Sequence, residues 1–154
     1  MTNLRIALSV IAVALVAGAT PLRAAAQQAA VPLPPDSVVA VYCAAWSSAD
    51  RVTRKSLLAR VWANDGVYSD PAPTLASGRD ALSDSIASFH RRRPGARFQC
   101  SVPQVHHGMM RFTWLLLASD TAVHFPGMDF GELAADGRIR RIVGFFGAPP
   151  VAGR

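Results

Sequence analysis

The 154-residue chain lacks most of the short motifs by which an enzyme announces itself. It has no Gly-x-Ser-x-Gly elbow, no phosphate-binding P-loop and no dinucleotide glycine pattern, so those nucleophile, nucleotide and redox chemistries are not indicated. Histidines are few, four in all. His106 and His107 are adjacent, and neighbouring side chains on a strand face opposite ways, so they cannot share one metal. A metal site would have to recruit His124 or Asp129, and no ligand spacing for one appears. No metal and no cofactor are therefore expected. No internal repeat and no second block of composition are visible, which leaves one small domain with one core.

Long apolar runs are also scarce. Ile6 to Ala19 is uncharged and apolar, but it is short of the roughly 20 residues a membrane span needs. Arg5 precedes it, and Ala24-Ala25-Ala26 follows Pro21 and Arg23. This is the layout of a secretory signal peptide, residues 1–26, with an A-x-A cleavage site. An uncleaved anchor is the alternative, since Arg23 lies close to the cut. No cysteine follows the small residues, so no lipid anchor is indicated. Residues 27–35 form a linker with Pro32, Pro34 and Pro35, the domain spans 36–147, and a short tail covers 148–154. A secreted or periplasmic protein, with no stable membrane span once cleaved, is the expectation.

Lysine is nearly absent: Lys55 is the only one. Without Arg5 and Arg23 the remainder has 14 basic and 10 acidic residues, net +4. A nucleic-acid partner would have to use Arg91-Arg92-Arg93 or Arg138, Arg140 and Arg141. The first group ends a predicted helix, where cations complement the helix dipole. The second flanks a turn. No nucleic-acid partner is expected. Cys43 and Cys100 are the two cysteines, and outside the cytoplasm such a pair is a candidate disulfide joining helix to sheet. Two small buried thiols are the simpler alternative.

Asp36 is positioned as an N-cap after the prolines, with Val39, Tyr42, Cys43 and Trp46 at helical spacing. A second helix is predicted over Thr53–Ala63, stopped by Asn64-Asp65-Gly66. Val67 to Asp70 reads as a short strand, and Pro71 and Pro73 as a rigid loop. Gly78-Arg79-Asp80 opens a third helix with Leu82, Ile86 and Phe89 inside, and His90 at its end as a cation for the dipole. Four antiparallel strands follow: Arg97–His106 with a break at Pro103, Met109–Ala118, Thr121–Ala134 and Arg138–Phe146. His107-Gly108, Ser119-Asp120 and Asp136-Gly137 are the turns. Pro126 and Gly127 suggest a bulge that bends the third of these strands. Helices followed by strands read as an α+β fold whose bent sheet cups a one-ended cavity.

One residue stands against this apolar pattern. Asp129 lies in Phe125-Pro126-Gly127-Met128-Asp129-Phe130-Gly131-Glu132-Leu133. A buried carboxylate is costly unless it is paired, protonated or used. It shares strand parity with Gly127, Gly131 and Leu133, which would leave room beside it in a pocket. The alternatives are a carboxylate satisfied by amides at the bulge, or one facing outward.

The chain resembles the nuclear transport factor 2-like superfamily, and within it the SnoaL-like proteins. Trp62 through Pro71, Gly78-Arg79-Asp80-Ala81-Leu82, His107-Gly108 with Arg111-Phe112-Thr113-Trp114, Gly127-Met128-Asp129-Phe130 and Asp136-Gly137-Arg138-Ile139 carry the resemblance. It covers about Ser37 to Gly147. It implies three helices against a curved antiparallel sheet, in a cone-shaped barrel with a deep apolar pocket. It also implies one or two pocket carboxylates, often with a Tyr, Trp or His. Ketosteroid isomerase belongs to the superfamily and uses an Asp base with a Tyr and a protonated Asp at the oxyanion. In SnoaL-like cyclases an Asp on a late strand is the acid/base group, and Asp129 matches it by strand order. The superfold hosts many reactions and plain binders, so the resemblance does not name a reaction.

On this reading Asp129 is the expected proton-transfer group, and Asp70, in a Tyr-x-Asp-Pro turn, is a second pocket carboxylate or a loop cap. Tyr42, Trp46, Phe112, Trp114 and Phe146 would line the site or simply pack the core. His107 would face the pocket as a proton shuttle or sit solvated in its turn. The expected partners are a small apolar molecule and, since such folds often dimerise, a second copy of the chain.

Overall fold

The computed structural model describes residues 31–72, 75–119 and 122–153. The expected export segment, the start of the linker, Pro73 and the Asp120 end of the Ser119-Asp120 turn lie outside the described residues. Among the described residues the chain forms three helices and seven strands. They are α1 (Pro35–Trp46), α2 (Arg51–Val61), β1 (Trp62–Ser69), β2 (Leu75–Ser77), α3 (Arg79–Arg92), β3 (Arg97–Cys100), β4 (Gln104–His106), β5 (Met109–Leu117), β6 (Val123–Leu133) and β7 (Ile139–Phe146). No helix among them is long and apolar enough to cross a membrane.

Local chemistry accounts for the helix starts. Helix α1 begins at Pro35 with Pro34 as its cap residue, so Asp36 sits in the first turn and is not the expected N-cap. Proline costs nothing at that position, because the first N–H has no helical partner anyway. Helix α2 begins at Arg51, two residues before the expected Thr53. Asp50 caps it, accepting a bond from the Thr53 amide at 2.8 Å. The predicted stop at Asn64-Asp65-Gly66 is not a stop. The helix ends at Val61, and the polar triplet lies inside β1. Trp62 is fully buried, and a Cβ on Gly66 would come within 2.6 Å of its indole Nε1. Gly66 therefore serves the packing of Trp62.

The sheet runs in the order β2-β1-β7-β6-β5-β3, with β4 also on β5. Neighbours are antiparallel except β1 and β7, which pair in parallel. Strand β2 was expected as loop; it pairs with β1 through Ala76 opposite Tyr68. The predicted single strand Arg97–His106 is two strands, β3 and β4, both on β5. Pro103 lies in the gap between them, where its missing N–H costs no ladder bond. The expected bulge at Pro126-Gly127 is absent. Leu115 pairs with Pro126 and Trp114 with Gly127 in regular register, and the irregularity falls one step earlier, between Phe125 and Val123. Gly127 has another reason to be there. A Cβ on it would lie 2.1 Å from the Trp114 ring, so only glycine lets that indole lie against the strand.

The core lies between the helices and one face of this sheet. Val38, Val39, Leu58, Val61, Trp62, Leu82, Ile86, Met110, Leu116, Ile139 and Ile142 are buried in it. Towards β3 and the start of β6 the packing turns aromatic, and there the core opens.

Candidate functional site

A cavity of about 470 Å³ opens among α1, α3, β3, β5, β6 and β7, a volume typical of small-molecule sites. Seven of the eight residues expected to act in or line a pocket are in its wall: Tyr42, Trp46, Asp70, Phe112, Trp114, Asp129 and Phe146. His107 is the exception, and its expected place in the pocket is corrected. It occupies the β4–β5 turn with φ 48°, exposed, its ring 5.6 Å from that of His106. A two-residue turn holds it away from the sheet's inner face. Among the described residues no cluster of three or more metal-ligating side chains exists.

Asp129 lies on the cavity side of β6, 5 % exposed. Its cross-strand neighbours are Phe112 and Gly144. Gly127 and Gly131 on its own strand have the same parity, and a Cβ on Gly144 would stand 3.1 Å from its Oδ1. Gly144 leaves the carboxylate its place, whereas the expected room beside Gly127 is filled by the Trp114 ring and that beside Gly131 by Ile142 and Met110. The Trp114 indole Nε1–H donates to Oδ1 at 2.8 Å. Among the described residues no hydrogen-bond donor reaches Oδ2. Burial pushes its pKa from 3.8 up to about 7; the Trp114 bond opposes the rise, and the charge of Asp70 adds to it. A carboxyl group with such a value exchanges a proton near neutral pH.

The carboxylate at Asp70 is occupied differently. Its Oδ2 accepts from the Tyr68 hydroxyl at 2.8 Å. Its Oδ1 accepts from the Ala72 amide at 2.8 Å. It is thus both a wall residue of the cavity and the cap of its own turn. Tyr68 and Asp70 are two apart around the end of a strand, which puts them on one face. That spacing is the sequence signal for Tyr68.

Among the described residues the buried Tyr42 hydroxyl has no partner at close hydrogen-bond geometry. It still lies close enough to Asp129 to favour the charged carboxylate slightly. Burial first, then the charge of Asp129, drives its own pKa well above 10. Tyr68 is raised in the same way, by burial and then by Asp129 and Asp70. Both phenols remain protonated donors at any working pH. Among the described residues the buried Trp46 indole Nε1–H is likewise without a close partner. An unpaired buried donor is costly, and both of these atoms lie inside the wall, closed off from the open space of the cavity.

The aromatic wall is continuous. Trp46 packs on Tyr68 at 5.1 Å, on Phe98 at 5.7 Å and on Phe89 at 5.9 Å. Trp114 contacts Phe98 at 5.4 Å and Phe146 at 6.0 Å. Phe89, Phe98 and Phe125 were not among the expected site residues. Phe89 reads as ordinary helix core, Phe98 lies outside any motif, and Phe125 heads the run that holds Asp129 with nothing in its spacing to mark it as a wall residue. Cys43 and Cys100 are joined in a disulfide with their Cα atoms 6.2 Å apart, and both line the cavity. The bridge ties α1 to β3 in the cavity wall.

His90 differs from its expected role. It is buried, its Nε2 is 2.9 Å from the Trp46 carbonyl oxygen, and burial lowers its pKa. Among the described residues its other ring nitrogen has no partner. It is a neutral ring donating to the end of α1, not a cation completing α3.

A model of the SnoaL-like domain matches residues 39–142. The chain belongs to the SnoaL-like family. Among solved structures, this SnoaL-like protein is 30 % identical to a proposed isomerase of the family from Agrobacterium tumefaciens, with a TM-score of 0.68 over 73 % of this chain and 96 % of that one. A protein with a ketosteroid isomerase-like fold from Catenulispora acidiphila, in complex with trimethylamine, is 13 % identical, TM-score 0.61, covering 74 % and 88 %. A proposed polyketide cyclase from Sinorhizobium meliloti is 15 % identical, TM-score 0.55, covering 73 % and 94 %. The last two share the fold. No curated protein matches the chain.

Proposed function

We propose that this SnoaL-like protein binds a small, largely apolar molecule in the aromatic cavity and moves a proton on it, with Asp129 as the acid/base group. One observation carries the reading: a buried carboxylate, with a pKa of about 7, in the wall of a largely aromatic cavity. The chemistry it suits is proton abstraction next to a carbonyl. Asp129 takes the C–H proton, the bonding electrons move to the carbonyl oxygen, and an O–H or N–H donor holds the developing charge. Tyr42, a wall residue whose phenol lies near Asp129, is the donor this reading assigns, once a ligand shifts the ring so that its hydroxyl meets the cavity. The proton then returns to a different carbon in an isomerase, or the enolate attacks a second carbonyl in a cyclase. The family match to a proposed isomerase supports this class.

Non-catalytic binding is the second reading. Asp70 favours it, because both of its oxygens are already bonded and it supplies no second free carboxylate. A ketone and lipid panel separates the two. Turnover that Asp129→Asn abolishes supports the enzyme; binding with no turnover of any member supports the binder; turnover undiminished in Asp129→Asn removes the catalytic assignment.

We also propose export to an oxidising compartment. The apolar leader and the Cys43–Cys100 bridge support it, since disulfides persist outside the reducing cytoplasm. Mass spectrometry of the exported protein should find Gln27 at its start. A homodimer, if formed, would use the outer sheet face, where Phe130 and Phe145 are exposed; a monomeric mass in solution at high micromolar concentration would end that idea.

A further inference from the structure

The two ends of the cavity carry opposite charge. The buried part holds Asp129 with Asp70 beside it. The exposed rim is formed by one side of α3 and its C-cap residue, where Asp84, Ser88, Arg92 and Arg93 line the opening. Arg92 donates from Nη1 to Ser88 Oγ at 2.6 Å, which holds its guanidinium along the rim. Arg93 lies over the Phe125 ring, 5.8 Å from its centroid, and Phe125 is itself a wall residue. Among the described residues neither arginine forms an ion pair, whereas Arg138, Arg140 and Arg141 each have a carboxylate partner. Asp84, the one acidic group of the rim, interacts with the buried Arg54 behind it.

A helix dipole accounts for cations in the last turn of α3. It does not account for two of the three facing the opening, one against a serine of the rim and one on an aromatic ring of the wall. We propose that Arg92 and Arg93 bind the carboxylate head of an amphipathic substrate whose apolar body fills the cavity. This deepens the functional reading above and rests on it. Charge sets the orientation. An anionic head is repelled from the interior by Asp129 and Asp70 and attracted at the rim by two guanidinium groups that fit a carboxylate. The far end of the substrate is thereby delivered to Asp129. The apolar walls between the two ends make no polar demand on the body of the ligand.

The test compares decanoate with 1-decanol, which have equal chain length and differ in head charge. Binding is followed through Trp46 and Trp114 fluorescence at pH 8, where decanoate is ionised. The full-length protein, Arg92→Gln/Arg93→Gln and Arg92→Lys/Arg93→Lys are measured side by side. Decanoate should bind the glutamine variant about tenfold more weakly than the parent, a loss in keeping with exposed charge pairs acting together. Decanol should bind both equally. The lysine variant, which keeps the charge, should keep most of the preference, and added salt should weaken decanoate alone. Equal decanoate affinity in the parent and the glutamine variant overturns the proposal, as does a lysine variant no better than glutamine. If decanol binds and decanoate shows no dependence on the arginines, the cavity reading stands and the rim assignment fails. If neither probe binds the parent, both fall together.

Discussion

Asp129→Asn isolates the cost of placing a carboxylate in this cavity. In the folded protein Asp129 holds its proton up to about pH 7, against 3.8 for the ordinary group. Between those values the folded state binds more protons than the unfolded one. Stability therefore falls as pH rises across that window and is flat on either side. At about 1.36 kcal/mol per pH unit the full change is about 4 kcal/mol, a large fraction of a small domain's total stability. Asparagine has no proton to lose, and its oxygen can still accept from the Trp114 indole. The stability of Asp129→Asn relative to the parent should therefore grow by about 4 kcal/mol from pH 4 to pH 8. Urea titrations at the two pH values read this directly. With a slope of about 2 kcal/mol/M, the midpoint of the variant should move about 2 M further from that of the parent at pH 8. Other titrating groups are common to both proteins and cancel in the difference. A gap that is the same at both pH values would show that Asp129 ionises freely in the fold, and the acid/base reading would lose its basis.

Trp114→Phe keeps a ring in the wall but removes the indole hydrogen bond to Asp129, so the carboxyl pKa should rise further; an NMR titration of the Asp129 side chain in both proteins measures it, and an unchanged value refutes the assigned bond. Gly127→Ala should destabilise by at least about 1–3 kcal/mol, the usual range for overpacking, because its Cβ would stand within the Trp114 ring; tryptophan emission during urea unfolding reports both the loss and the displaced indole. Removing the disulfide with Cys43→Ala/Cys100→Ala should cost about 4 kcal/mol, the loop-closure value for the 57-residue separation, and a thermal shift of only a degree or two would contradict it. His90 should titrate below 6.5, because its neutral form is the buried one; protonation on acidification should then destabilise the fold, and a normal or raised NMR pKa would refute this.

Much of the architecture was legible because the periodicities are strong. The stripe Leu82, Ile86 and Phe89 in α3 and the alternation of Phe112, Trp114 and Leu116 in β5 each place one face inward, and the structure buries those faces. Errors fell where local signals have two physical meanings. Asn64-Asp65-Gly66 looks like a helix stop, yet Gly66 is small because Trp62 lies against it. Pro126-Gly127 looks like a bulge, yet Gly127 is small because Trp114 lies against it. In both cases the tryptophan that demands the glycine is visible in the sequence, but their contact is not. Strand β2 was missed because three residues carry no period at all.

The sequence by itself determined that an α+β domain would form, that its late strands would carry one carboxylate on an otherwise apolar face, and that aromatics would surround it. Those follow from spacing, which is a local property of the chain. Only the tertiary structure decided what that carboxylate meets. It pairs Asp129 with Trp114, gives Asp70 to Tyr68 and Ala72, and turns His90 into a buried neutral ring. It sends His107 to the surface and sets Arg92 and Arg93 at the opening. The state of an ionisable group depends on burial and on partners brought from distant positions, and neither is a property of its neighbours in sequence.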